Sequence, residues 1–156
     1  MKPILFIIAF VTIVSIRPIF AQDTTMPPVQ KAIASYLNIK NSLAKDRPDS
    51  ARFYAEVFVT SLQTADPEQA KIAAAAKGLT ATTDLKKQRK QFAVVSSTFY
   101  EWLKAQQATT AELYYQYCPM AEAYWISETS KIQNPYFGKQ MLFCGSTKET
   151  LKAQNR

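Results

Sequence analysis

The chain holds two cysteines, and each sits in a sulfur-bearing run: Cys118-Pro119-Met120 and Met141-Leu142-Phe143-Cys144-Gly145. The runs are near mirror images, Cys-x-Met against Met-x-x-Cys, and no histidine occurs anywhere. A fold that gives these sulfurs a purpose must bring residue 118 to residue 144. It would do so either to form a disulfide or to gather ligands around a thiophilic metal ion. One residue separates Cys118 from Met120, and Met141 and Cys144 stand three apart, close to one helical turn. Both spacings let the two sulfurs of a segment face the same way.

The first 21 residues read as a secretory signal. Lys2 supplies the positive start, Ile4 to Ile16 the apolar centre, and Ile19-Phe20-Ala21 a cleavage region before Gln22. The apolar run is interrupted by Arg17 and Pro18 and is short for a membrane span, so we expect it to be removed; retention as an anchor is the alternative. The expected mature chain, Gln22 to Arg156, has no stable membrane anchor and is exported or periplasmic. Loss of Lys2 and Arg17 lowers the formal charge from +7 to +5. The one dense basic group, Lys86, Lys87, Arg89 and Lys90, reads as a solvated helix face, and no nucleic-acid partner is expected. Export also admits disulfides.

Residues 22–28 form a polar, proline-containing lead-in, and residues 29–156 read as a single helical domain. From Val29 the apolar residues Ile33, Tyr36, Leu37 and Leu43 recur at helical spacing. Asp46-Arg47-Pro48-Asp49 ends that helix and starts a second, striped by Ala51, Ala55, Phe58 and Leu62. Asp66-Pro67-Glu68-Gln69 is the clearest start signal, with Asp to cap, Pro in the first turn and Gln to reach back. The alanine-rich helix it opens is expected to run to about Lys77 and close at Gly78. A fourth and longest helix begins near Thr83-Asp84. Leu85, Phe92 and Phe99 repeat in it every seven residues, and Gln106 to Thr110 breaks the pattern.

Four amphipathic helices on short links predict a mainly α fold, an antiparallel four-helix bundle. An irregular aromatic, Cys/Met-containing segment over residues 113–145 follows it. That segment is expected to hold at most a short strand or hairpin, at Leu113 to Tyr117. Ser146-Thr147-Lys148-Glu149 matches a capping box and predicts a short terminal helix. Gly138 and Gly145, two of only three glycines, bracket the second sulfur run and let the backbone turn tightly there.

Cys118, Met120, Met141 and Cys144 are the candidate metal ligands. Thiolates and thioethers suit Cu(I) or Ag(I), whereas structural zinc wants four Cys or His ligands. A Cys118–Cys144 disulfide is the competing use of the same residues. It would close a loop of 27 residues and stabilise the fold by about 3.5 kcal/mol on a chain-entropy argument. Tyr117, Tyr124, Trp125, Tyr136 and Phe143 would supply dry surroundings in either case, and packing alone would also account for them. Catalysis is not expected. No imidazole is available to activate a cysteine or serine, the carboxylates show no paired spacing, and three glycines cannot build a phosphate-cradling loop.

Four stretches carry a family likeness: Tyr115-Gln-Tyr-Cys-Pro-Met-Ala121, Trp125-Ile-Ser127, Ile132-Gln-Asn-Pro-Tyr-Phe-Gly138 and Met141-Leu-Phe-Cys-Gly145. Together they resemble the closing signature of a bacterial domain-of-unknown-function family. That family occurs as stand-alone exported proteins and as the terminal domain of periplasmic adaptor subunits in copper/silver-type heavy-metal efflux systems. Upstream, Tyr36-Leu37 with Lys40 and Leu43, and Gln88-Arg89-Lys90-Gln91-Phe92 with Ser96, resemble its helical elements. The resemblance implies a helical periplasmic domain linked to metal handling, with metal-efflux or envelope proteins as partners. Cys118, Met120, Met141 and Cys144 would be the ligands, supported by Tyr117, Trp125, Asn134, Tyr136 and Gly138. The expectation is a non-enzymatic protein that binds Cu(I) or Ag(I) or assists heavy-metal efflux; the alternative is a disulfide-stapled structural or partner-binding module with no metal.

Overall fold

The computed structural model describes residues 26–154. The expected signal over 1–21 and most of the lead-in therefore lie outside the described residues. Helices α1 (Pro28–Ala44), α2 (Pro48–Ser61), α3 (Pro67–Thr80) and α4 (Leu85–Gln106) come first in the chain. Strands β1 (Leu113–Cys118), β2 (Ala123–Ser127) and β3 (Ser146–Leu151) follow, with a single 3₁₀ turn, Gly138–Gln140, before β3. The fold is mainly helical. No helix among the described residues is long and apolar enough to cross a membrane.

The helix starts follow the local chemistry. Proline occupies the first turn of α1, α2 and α3, where its missing N–H costs nothing. Asp66 accepts from the Glu68 N–H at 3.0 Å, and the Gln69 side chain reaches back to the same carboxylate at 3.0 Å. Asp84 accepts from the Lys87 N–H at 2.9 Å and opens α4. Gly78, expected to close α3, instead lies inside it, and the helix runs on to Thr80. A Cβ at Gly78 would lie 2.8 Å from the Gln91 side chain, so this glycine serves the approach of α3 to α4 rather than a stop. Asp46 does not cap α2, whose first residues receive no side-chain cap; its carboxylate is recruited elsewhere, as described below.

Successive helices pack on one another, and β2 lies against α4 and α1. At the centre is Tyr36, fully buried, with ring centroids 5.2 Å from Phe92, 5.3 Å from Phe99 and 6.2 Å from Phe58. Its hydroxyl bonds to Ser96 Oγ at 2.7 Å and accepts the Ile126 N–H at 3.1 Å. Burial pushes this phenol well above its ordinary range, against the bonds from Ile126 and Ser96, so it stays protonated. An edge strand presents unpaired amides, and Tyr36 covers one of them on β2. Tyr36→Phe should cost about 2 kcal/mol in urea unfolding, because the Ile126 N–H is left buried and unmet. A loss under about 0.5 kcal/mol would show the hydroxyl to be dispensable.

The last third departs from the expected segment with at most a hairpin. Three antiparallel strands pair in the order β2-β1-β3, and β3 stands where a terminal helix was predicted from Thr147. The physical reason is tertiary. A capping box favours a helix by only about 1 kcal/mol, whereas β3 pairs along the whole free edge of β1. Glu149, the residue that would close the box, is instead held by Lys104 Nζ at 2.8 Å and by the Tyr100 hydroxyl. The register slips between Tyr115 and Gln116, leaving Lys148 as an extra residue in β3.

Candidate functional site

Cys118 is the last residue of β1 and is fully buried, while Cys144 lies half-buried just before β3. Because Tyr117 pairs with Ser146, the end of β1 comes alongside Gly145 and Cys144. The two thiols lie close enough to act on one another electrostatically, and no disulfide joins them in the structure. Partial burial, and then the neighbouring Cys118, raise the Cys144 thiol above its ordinary value of 9.0.

Gly145 makes this meeting possible. Its φ of +144° lies outside the range other residues adopt readily, and a Cβ there would lie 2.7 Å from the Trp125 ring and 2.8 Å from the Tyr117 carbonyl oxygen. Asn134, wholly buried, fixes the incoming loop. Its N–H donates to Leu142 O at 2.8 Å and its side-chain amide to Cys144 O at 2.9 Å. Its side-chain oxygen accepts from the Tyr136 N–H at 2.8 Å. Tyr136 packs edge-on against the buried Trp125, centroids 6.0 Å apart, and its hydroxyl donates to Tyr124 O. Tyr117 lies on β1 against Tyr124, centroids 4.5 Å apart, with Lys148 Nζ 5.6 Å from its ring.

The methionines are placed unequally. Met141 is half-buried, shares a turn with Cys144 through the Cys144 N–H to Met141 O bond at 3.1 Å, and lines with it a shallow depression spanning Lys139 to Cys144. Met120 projects from the turn between β1 and β2 and is 64% exposed. The fold thus brings Cys118 near Cys144, keeps Met141 in the same turn as Cys144 and leaves Met120 exposed on the β1–β2 turn. Among the described residues no group of three or more His, Cys, Asp or Glu side chains is placed to hold a metal ion. A metal at this end would depend on two thiols and the thioethers.

Two inward-turned cations, Arg89 and Lys40, escaped the reading of the sequence. Arg89, taken for a solvated face, turns inward. Its Nη2 donates to Asp46 Oδ1 at 2.6 Å and Leu43 O at 3.1 Å, and its Nε to Pro135 O at 2.9 Å. It ties the α1–α2 turn to the loop that carries Asn134, directly over Gly138, whose φ is +55°. Lys40, fully buried, bonds Glu128 at 2.8 Å just beyond β2, and Asn41 meets the other carboxylate oxygen at 2.9 Å. Burial lowers the Lys40 ammonium below its ordinary value, partly offset by Glu128. Burial alone would raise Glu128, but bonds from Lys40 and Asn41 outweigh it and hold that carboxyl low. A signal for Lys40 was present, since it stands four residues after Tyr36 and three before Leu43 on the apolar stripe.

Fold and site together define a small, mainly helical domain with a three-stranded terminal sheet, near one end of which two cysteines lie close together. The chain belongs to the family described as protein of unknown function (DUF3347), whose match covers residues 32–111, just over half of its length. That stretch contains all of α2, α3 and α4 and most of α1, and it ends before Cys118. No curated protein and no solved structure matches the chain.

Proposed function

We propose that this protein binds a soft monovalent ion, Cu(I) or Ag(I), through Cys118 and Cys144, with Met141 beside them, and that it does so as an exported, non-catalytic accessory to metal handling in the cell envelope. The observation that carries this reading is the strand register, in which Tyr117 pairs with Ser146 and so brings Cys144 near Cys118 across 25 intervening residues. Thiolate and thioether sulfur is the donor set that Cu(I) prefers. The helices, taken as an antiparallel bundle, would be the scaffold, and envelope or efflux proteins the partners.

Binding must displace thiol protons, and the raised Cys144 thiol makes that costly at low pH, so affinity should rise with pH toward the alkaline range. Titrating reduced protein with Cu(I) against a competing chelator tests the proposal. Affinity tighter than micromolar is expected, with at least a hundredfold loss in Cys118→Ser/Cys144→Ser. Unchanged binding in that variant would sink it.

The same approach of Cys144 to Cys118 favours a second reading, a module stapled by a Cys118–Cys144 disulfide that presents its aromatic end to a protein partner. Counting free thiols in denatured, unreduced protein separates the two. Two free thiols exclude the staple, and none weakens direct metal binding.

A further inference from the structure

Resting on the cysteine pair that both readings share, we infer that Cys144 is the sulfur through which an external disulfide exchanges, that Cys118 resolves the mixed disulfide, and that closing the pair shuts the site to the ion. The strand register sets the two cysteines near one another. Tyr117 pairs with Ser146, so the next residue of β1, Cys118, comes alongside Gly145 and its neighbour Cys144. At this range the Cys118 thiol acts on that of Cys144. Solvent, however, reaches the two unequally.

Cys118 is 0% exposed, and it shares a face of the sheet with Gln116 and Trp125, which are 0% exposed as well. A reagent arriving from solvent does not meet its sulfur. Cys144 is half-buried and lines the depression that runs from Lys139 past Met141 and the exposed Phe143. Its backbone is held on both sides. The Cys144 N–H donates to Met141 O at 3.1 Å, and its carbonyl oxygen accepts from the Asn134 side-chain amide at 2.9 Å. The reachable cysteine is therefore presented from a fixed stretch of chain, with the unreachable one behind it.

That asymmetry orders the chemistry. The Cys144 thiolate attacks one sulfur of the external disulfide, bonds to it and expels the other half as a thiolate, which takes up the proton Cys144 lost. Cys118 then gives up its proton and attacks Cys144 Sγ, closing the intramolecular bond and releasing the second half as a thiol. Two electrons pass from the pair to the external disulfide. Cys118 needs no opening of its own, because its target is the neighbouring sulfur. Exposed disulfides are the readily reduced ones, so a dithiol entering at Cys144 reverses both steps. Closing the pair and loading the ion exclude one another, since a disulfide offers no thiolate to Cu(I).

Mixing the reduced protein with excess glutathione disulfide, followed by intact mass and thiol counting, tests this. Wild type should lose both thiols and keep no glutathione. Cys118→Ser should accumulate one glutathione, at Cys144, because the resolving sulfur is gone; Cys118→Ala, which buries no hydroxyl, repeats this arm should the serine variant not fold. Cys144→Ser should take up glutathione at least about tenfold more slowly. Equal rates in the two single variants, or a lasting glutathione adduct on wild type, would overturn the inference. Closed wild type should bind Cu(I) at least about a hundredfold more weakly than the reduced form and recover after dithiothreitol; affinity unchanged by closing overturns the gating. Reduced protein that binds Cu(I) but never closes sinks this inference alone. A pair that closes through Cys144 with no Cu(I) affinity in either state sinks the metal reading and leaves the exchange standing.

Discussion

Glu128→Ala should destabilise the protein by about 3 kcal/mol near neutral pH, because it strips the counter-charge from an ammonium with no access to water. The two partners are not equivalent. The Lys40 side chain is 0% exposed and that of Glu128 38%, so the lysine carries the desolvation while the carboxylate keeps partial contact with solvent. Without Glu128, Lys40 must shed its proton to remain inside, and its pKa falls further below the ordinary 10.5. The unfolded chain then binds a proton that the folded one does not. The deficit is therefore largest at low pH and shrinks, by at most about 1.4 kcal/mol per unit, only over the interval between the lowered folded-state value and the ordinary 10.5. Lys40→Met is the control. It leaves Glu128 free to face water and fills the same space, and it should cost under about 1.5 kcal/mol. Urea melts of both variants at several pH values check the argument, which fails if the two substitutions cost the same or if the slope with pH is absent.

The glycine under the Arg89 tie predicts an effect of similar size. Gly138→Ala should cost about 3–4 kcal/mol, of which about 1 kcal/mol comes from placing alanine at a positive φ. The rest comes from collision, since the new methyl group would occupy the space of the Asp46 carboxylate and the Arg89 guanidinium. Parting those two groups loosens the α1–α2 turn and the bond from Arg89 to Pro135 O together. The loop carrying Asn134 is then freed, so Cys144 should react faster with a thiol reagent as well. An unfolding free energy from urea melts within about 1 kcal/mol of wild type would refute this account.

The helices were legible because their determinants are local. Pro67 with Asp66, Asp84, and the sevenfold spacing of Phe92 and Phe99 each act within a few residues. The two sulfur runs raised the expectation that Cys118 and Cys144 meet, and the structure brings the two residues near one another. What local patterns could not disclose were the long-range partners. Lys40 finds Glu128 across 88 positions and Arg89 finds Asp46 across 43, and no spacing rule encodes either. The terminal helix was misread for the related reason that a capping pattern describes one turn, while β3 answers to the open edge of a strand some 33 residues earlier. Resemblance on the terminal motifs and membership through residues 32–111 fall on different parts of the chain, so the family match by itself says nothing about sulfur.

The Tyr36, Lys40 and Arg89 side chains all reach out of the helices to groups lying beyond residue 111. A fragment cut at that point would keep every helix yet take Glu128 from the Lys40 ammonium outright, and leave Tyr36 with Ser96 alone and Arg89 with only Asp46 and Leu43 O. The stretch that defines the family should therefore be less stable alone than within the whole chain. Part of its interior is completed by the sulfur-bearing end.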